Sequence, residues 1–500
     1  MATTVFYSVC PFGTGTIETG SGTIAISSGV ATTSVAQTGN IGIGVCIEYN
    51  SLKCYISRVN SSTSFNVITA TGGTPANQVA IDITSIHHEY ASLSAFEAGF
   101  TDVNHINSTN LASSNMMVRA CCYYDHVDYT VDSAEVSFAG YDTDTTYTAT
   151  RYVEAYCPIG GTESINRQKH SGVYDANKYV LEGNAGASIG FVSIADNILV
   201  HLTGLQVYSP TYASSYRGCI ESRFAGALTW IDSCILRSTV AAYEGFCVQT
   251  AWDTGVATMY IRNSIFYDGN IGIRVQGGCT IYIFSSTIVD CTTGIVRSST
   301  NIPIVRNVLI KGCTTNYSGT TQAYGGYNVD DSITNAGAHF SSGDTWKTGT
   351  TTGAAANKLI DSGATFITTG VQLKSKTKDS GTNRSYVTAL DSETQLSVND
   401  DHFTSSEAYT VWKNMYGVAV FVNYAGDNFL LDATDTDAKN KGQNLYANGT
   451  IPVTVDIVEN ARPSEGNFCV GAFEIVPAAT GNWFLLNMRN QVAYPNSILY

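Results

Sequence analysis

The chain has 500 residues, of which only 13% are charged and 44% hydrophobic, with 46 Gly and 30 Tyr; at that length more than one structural unit is expected. Its net charge of −15, without any cluster of Lys and Arg, argues against a nucleic-acid partner. No apolar run approaches the length of a membrane-spanning helix, so membrane insertion is not expected either.

The N-terminus, Met1-Ala2-Thr3-Thr4-Val5-Phe6, lacks the basic and apolar regions of a secretory signal. A protein of the surface type is then expected to leave its cell without one, as virion proteins released by lysis do. Residues 1–75 read as a small β-module. Short strands recur at Gly22-Thr23-Ile24-Ala25-Ile26, Val45-Cys46-Ile47-Glu48-Tyr49, Lys53-Cys54-Tyr55-Ile56 and Ser64-Phe65-Asn66-Val67-Ile68, with turn residues between them.

Residues 76–344 read as a solenoid. A short helix is expected first, with Ser94 as N-cap and Glu97 three residues on as in a capping box, lying over the open end of the core. Met116-Met117-Val118-Arg119-Ala120 follows as an early coil strand. From 197 to 313 one pattern returns, an apolar/polar alternation with a small or polar residue before an aliphatic pair: Trp230-Ile231-Asp232-Ser233-Cys234-Ile235-Leu236 and Tyr260-Ile261-Arg262-Asn263-Ser264-Ile265-Phe266 are two instances. Taking Leu205, Ile235, Ile265, Ile288 and Leu309 as equivalent gives spacings of 30, 30, 23 and 21 residues, the mark of a solenoid. The runs are β-branched and short and lack both a Leu/Asn ladder and a 3.6-residue period, which selects a parallel β-helix. Ile235, Ile265 and Ile288 are expected to point inward in one column. This stretch resembles the right-handed parallel β-helix proteins of the pectin-lyase-like superfamily.

Residues 345–413 repeat the strand order of the first module and read as an inserted β-module, expected to share its fold and to lie outside the coil stack. Residues 414–500 supply the last coils and a closing segment. There Asp456-Ile457-Val458-Glu459-Asn460-Ala461-Arg462-Pro463, followed by Gly471-Ala472-Phe473-Glu474, resembles the closing segment of many β-helix proteins. The fold class is therefore all-β: a right-handed parallel β-helix with an N-terminal module, an inserted module and a closing segment.

Thirteen Cys is an odd count. Cys234, Cys279, Cys291 and Cys313 fall at core or corner positions and read as small buried hydrophobes. Cys46 and Cys54 flank a turn and are a candidate cross-strand pair, whereas Cys121 and Cys122, being adjacent, cannot face one core.

β-helix lyases and hydrolases need convergent carboxylates with a base on neighbouring coils. The regular coils instead offer Arg262 and Arg306 at one offset, with Phe284 between them, and no carboxylate pair, so no catalytic residue is assigned. Tyr123, Tyr124, Tyr129, Tyr141 and Tyr147 crowd one region and, with Arg262 and Arg306, are candidates for glycan or subunit contact. Asp432, Asp435 and Asp437 gather oxygen ligands in one loop and are candidates for calcium; no other cofactor is expected. His87-His88-Glu89 lacks the helical spacing of a metalloprotease motif. The expected function is a non-catalytic extracellular or virion-surface structural protein of the phage fibre, spike or decoration type, self-assembling with a trimer as the first expectation and with surface polysaccharide as a second partner. A polysaccharide lyase or glycoside hydrolase and a cell-surface adhesin stay open as alternatives.

Overall fold

The computed structural model describes residues 2–475 apart from 12–15, 19–21, 125–130, 145–149, 184–189, 196, 211–217, 223–225, 240–244, 251–256, 299–300, 302, 320–324, 334–344 and 464–465. Three parallel sheets form a β-helix. The first runs through eight strands from Thr3–Val9 and Met116–Cys122 to Ile304–Arg306, the second through seven from Val180–Glu182 to Val329–Asp330, and the third through seven from Val136–Phe138 to Thr315–Ser318. Each coil visits them in that order: Leu228–Asp232, Ile235–Ser238 and Phe246–Thr250 make one turn, and Thr258–Arg262 opens the next. Register stacks like on like. Leu202, Ile231, Ile261, Ile283 and Val305 form one inward column of the first sheet, all of them buried in the main core.

The corner between first and second sheets takes two residues. Its first member is left-handed in five successive coils: Gly204, Ser233, Asn263, Ser285 and Asn307 have φ of 67°, 55°, 51°, 47° and 55°. Short polar residues and Gly tolerate that region best. The second member points inward and explains the serines of the repeat, since Ser264 Oγ accepts from Cys234 N (3.1 Å) and Ser286 Oγ from Ser264 N (3.3 Å). A corner amide that neighbouring strands cannot satisfy is thus capped by the next coil. Ser285 is fully buried and its hydroxyl has no hydrogen-bond partner. Ser285→Gly is therefore expected to be neutral or mildly stabilising in urea denaturation, while Ser285→Val, β-branched at positive φ, should cost about 1–2 kcal/mol.

The expected inward column of Ile235, Ile265 and Ile288 is corrected. In the register, Leu236, Phe266, Ile288 and Ile310 stack together and face the core, while Ile235 and Ile265 align with Thr287 and Leu309 on the opposite side. That outward column is nonetheless buried, because Phe421, Phe429, Ile457, Val470 and Ala472 of the last part of the chain pack over it. A strand buried on both faces loses the alternation that tells inside from outside, and a one-residue slip in alignment then goes unnoticed.

Both small modules are six-stranded barrels with one pairing scheme. In the first, Thr23–Ser27, Val30–Thr33, Ser64–Ile68, Leu52–Ser61, Cys46–Tyr49 and Gln78–His87 pair in a closed circuit. In the second, Thr345–Thr350, Lys358–Ile360, Gln395–Val398, Arg384–Ser392, Ser375–Lys378 and Ala408–Tyr416 follow the same circuit, closed between the first two by the Gly353–Ile360 bridge. Even the irregularities coincide. The pairs Ile56–Val67, Arg58–Asn66, Val59–Phe65 and Ser61–Ser64 recur as Val387–Val398, Ala389–Ser397, Leu390–Leu396 and Ser392–Gln395, each with the same two register shifts, at a constant offset of 331 residues (387 − 56).

Two expected boundaries move. Thr3–Val9 belongs to the first solenoid sheet, so the first barrel is inserted after it and ends at His87 rather than at residue 75. The second barrel does not lie wholly outside the stack: Met415 and Tyr416 of its last strand pair in parallel with Val329 and Asp330 of the second sheet. There Lys376 Nζ, fully buried, meets Asp330 Oδ2 at 2.6 Å.

The expected helix exists as α1, Leu93–Gly99, but Ser92 caps it, accepting from Ala95 N. Ser94 lies inside the helix and Glu97 turns to Ala139 N (3.1 Å). Leu93, Phe96 and Phe100 close the end of the main core. Every Cys is free and all but Cys313 are buried. Cys46 and Cys54 are not a bridge: Cys46 lies opposite Tyr55 and Cys54 opposite Ile47, so they face different cores. Cys121 and Cys122 likewise part between two cores.

Candidate functional site

Strand alternation puts two outward columns on the first sheet. One runs Phe6, Arg119, Glu154, His201, Trp230, Tyr260, Tyr282 and Ile304; the other includes Thr203, Asp232, Arg262, Phe284 and Arg306. Arg262 and Arg306 thus flank Phe284. The aromatic rings form a ladder at the strand repeat: Trp230 on Tyr260 at 4.7 Å, Tyr260 on Tyr282 at 5.1 Å, both nearly parallel. Cations sit among them, with Arg262 5.4 Å from the Trp230 ring and Arg306 5.7 Å from that of Phe284.

The carboxylates on this face are paired. Arg262 holds Asp232 through Nε (2.8 Å) and Nη2 (2.6 Å), and Arg119 Nε meets Glu154 at 2.8 Å. The Arg262 guanidinium keeps the Asp232 carboxyl below its ordinary value against the effect of burial. His201, stacked on Tyr152 at 3.9 Å, is pushed down to about 3 by burial and by the two arginines. The ladder is not an open platform. Leu445, Ile451, Val453 and Phe468 pack on Leu228, Trp230, Tyr260 and Phe284, and Arg262 also donates to the Pro452 carbonyl.

No protein-family model, curated protein or solved structure matches the chain. Function is therefore read from side-chain geometry. Of the candidate tyrosines, Tyr123 is fully buried and donates to the Ile43 carbonyl (2.8 Å), which makes it part of a core rather than a contact surface. Tyr141 is also buried, edge-on to Phe100 at 5.1 Å. Tyr124 is half-buried, its hydroxyl 3.5 Å from Asn177 Oδ1. Tyr129 and Tyr147 lie outside the described residues. Of the three described, Tyr123 and Tyr141 thus serve cores and Tyr124 alone reaches the surface.

The three aspartates of the calcium reading are engaged by the chain's own amides. Asp435 is buried, with one oxygen on Val420 N (2.8 Å) and the other on Ala438 N and Lys439 N. Asp437 accepts from Val418 N (2.9 Å), and exposed Asp432 caps its own turn at Thr434. Three carboxylates that sequence proximity suggests as ligands are spent on backbone amides, a common use of Asp in loops. In doing so, Asp435 and Asp437 fix the run Val418-Ala419-Val420-Phe421-Val422 so that Ala419 and Phe421 turn inward while Val418, Val420 and Val422 stay 47%, 45% and 52% exposed.

One group of metal-ligand type does form among the described residues: Cys46, His87 and Glu89 bring one donor atom each to within 4.8 Å of one another. Two members lie in the His87-His88-Glu89 run. Cys46 could not be found from sequence, since it arrives by strand pairing across 41 residues (87 − 46).

Proposed function

We propose that the chain is a non-catalytic structural protein of the extracellular or virion-surface type, a β-helical shaft with two barrels that assembles with further copies of itself. The row of Val418, Val420 and Val422 carries this reading. Three apolar side chains project from one extended run whose amides are fixed from behind, and a row of that kind is stabilised when another surface covers it. The pairing of Asp232 and Glu154 with arginines supports a non-catalytic shaft, because a carboxylate held in an ion pair and roofed by the closing segment is poorly placed to act as acid or base.

The test is the mass of the native protein by light scattering. The wild type is expected as a homo-oligomer at micromolar concentration, and Val418→Asp/Val420→Asp/Val422→Asp as a monomer with unchanged circular dichroism. A monomeric wild type overturns the assembly, an oligomeric triple variant overturns the assignment of the surface, and release of unsaturated or reducing ends from acidic polysaccharides overturns the non-catalytic reading.

A further inference from the structure

The seam between the first barrel and the solenoid holds a donor set that the structural reading leaves unused. Cys46 and His87 are directly opposed in the pairing of Cys46–Tyr49 with Gln78–His87, so both side chains leave the same face of the sheet. Beyond His87 the strand ends: His88 lies against the Tyr123 ring at 4.8 Å, and Glu89, at a bend, returns to the side of His87. Its backbone then joins the solenoid, with Glu89 N donating to Ser8 Oγ (3.2 Å) and Tyr90 N to the Ser8 carbonyl (3.0 Å).

Two of the donors are oriented from behind. His87 Nδ1 is 3.1 Å from Ser85 Oγ, which in turn donates to Glu48 Oε2 (3.1 Å), so the ring offers Nε2 to the cluster. Glu89 Oε1 is held by His105 Nε2 (3.0 Å) and by Lys53 Nζ (3.4 Å), and His105 Nδ1 is anchored on Asp102 (2.8 Å). Glu89 Oε2, on a side chain only 8% exposed, is buried with no hydrogen-bond partner, 3.9 Å from His87 Nε2. That separation is too long for a hydrogen bond. Two ligands about 2.0–2.1 Å from a shared tetrahedral ion stand roughly 3.3–3.4 Å apart, so closure by about half an ångström would bring this pair to that spacing. A buried carboxylate oxygen facing a buried imidazole and a buried thiol costs free energy unless something positive lies between them.

We propose that Cys46, His87 and Glu89 bind a divalent transition cation of the zinc class. A thiolate, an imidazole and one carboxylate oxygen suit such an ion and disfavour calcium and magnesium, which take oxygen ligands. On binding, the Cys46 thiol gives up its proton to solvent and the sulfur–metal bond takes its place. The ion ties the barrel, through Cys46 and His87, to the cap, through Glu89 and the His105–Asp102 pair behind it. Ser85 and His105 act as positioning residues.

The test uses the full chain, stripped with a chelator and passed through gel filtration. Zinc is expected to be retained at about one equivalent, and cobalt to give visible d–d bands with a sulfur-to-metal charge-transfer band in the near ultraviolet. Calcium should compete with neither. Cys46→Ser should abolish the charge-transfer band, Glu89→Gln should lose retention, and His105→Asn, one shell out, should weaken affinity by about 10–100-fold. Cys54→Ser, altered at an equally buried thiol that faces the other core, should bind as the wild type does. Absence of stoichiometric retention in the wild type, or an unchanged cobalt spectrum in folded Cys46→Ser, overturns the site. Because Glu89→Gln keeps the shape of its side chain, loss of binding in that variant with unchanged circular dichroism separates lost ligation from lost fold.

Discussion

Taking the protein from pH 7 to pH 5 is expected to cost folding stability through its buried histidines, of which His88 and His170 together carry about 4 kcal/mol. His88 is fully enclosed and neither ring nitrogen has a hydrogen-bond partner; burial, with His87 adjacent, pushes it down to about 3. His170 is equally buried and is satisfied as the neutral ring, Nε2 donating to the Ser233 carbonyl (2.9 Å) and Nδ1 accepting from Gly172 N (3.1 Å). Burial and the neighbouring Lys169 hold it well below the usual histidine value. In the unfolded chain both take up a proton near pH 6.5, whereas the folded protein refuses it, so the unfolded state binds more protons and stability falls as pH drops below 6.5. At pH 5 each histidine contributes about 2 kcal/mol of that loss. His105 has the opposite sign. Raised by its bonds to Glu89 and Asp102 against the effect of burial, it adds stability that is fully present below 6.5 and fades as pH rises through its folded value. Urea denaturation at pH 7 and pH 5 measures the sum, and His88→Phe isolates one part. That variant should lose about 2 kcal/mol of the acid-induced loss, the rest staying with His170 and with His201, which burial and two arginines hold down to about 3, and it should be no less stable at pH 7, since it removes two unpartnered buried nitrogens. An unchanged pH slope in His88→Phe would show that the ring is protonated or hydrated in the native state.

How far the sequence could be read depended on how local each determinant is. The corner residues and the Ser264 and Ser286 positions repeat because every coil solves the same backbone problem, and repetition made the solenoid legible. The two barrels share strand order because Tyr55 to Val67 and Tyr386 to Val398 carry the same alternation and the same bulges, again a local property. Inside and outside of the second sheet were not legible. Ile235 and Ile265 are as apolar as Leu236 and Phe266, and only the later packing of Phe421, Phe429 and Val470 explains why. The same layer was not legible over the first sheet, where Phe284, set between Arg262 and Arg306, is roofed by Leu445, Ile451 and Phe468. The amide contacts of Asp432, Asp435 and Asp437 were not legible, because an Asp-rich loop looks alike whether its oxygens hold an ion or amides. The Cys46 donor stayed hidden for a topological reason: no spacing rule names the strand that will lie beside His87.

Arg462→Met is expected to destabilise the protein by about 3–5 kcal/mol, more than any surface change. The motif Asp456 to Arg462 to Glu474 closes on itself: Arg462, 2% exposed, holds Glu474 Oε2 at 2.8 Å, the Gly471 carbonyl at 2.9 Å and the Cys469 carbonyl at 3.3 Å, with Phe468 under its guanidinium. Asp456 accepts from Val458 N, Asn460 N and Glu474 N, and Glu474 accepts from Cys469 N. This knot fastens the layer over the second sheet, where Gly471 N reaches the corner residue Asn307 and Ala472 N reaches Thr287. Removing the cation leaves Glu474 buried and uncompensated, so Arg462→Met and Glu474→Gln should each be costly while the double variant costs less than their sum, with a coupling of at least about 2 kcal/mol in a double-mutant cycle. Limited proteolysis locates the damage. In Arg462→Met, cleavage should begin within 417–475, where the layer lifts, before the coils of 197–313 are cut. Additive single variants, or first cleavage within the coils, would mean that the layer is held by its apolar contacts and that the ion pair is incidental.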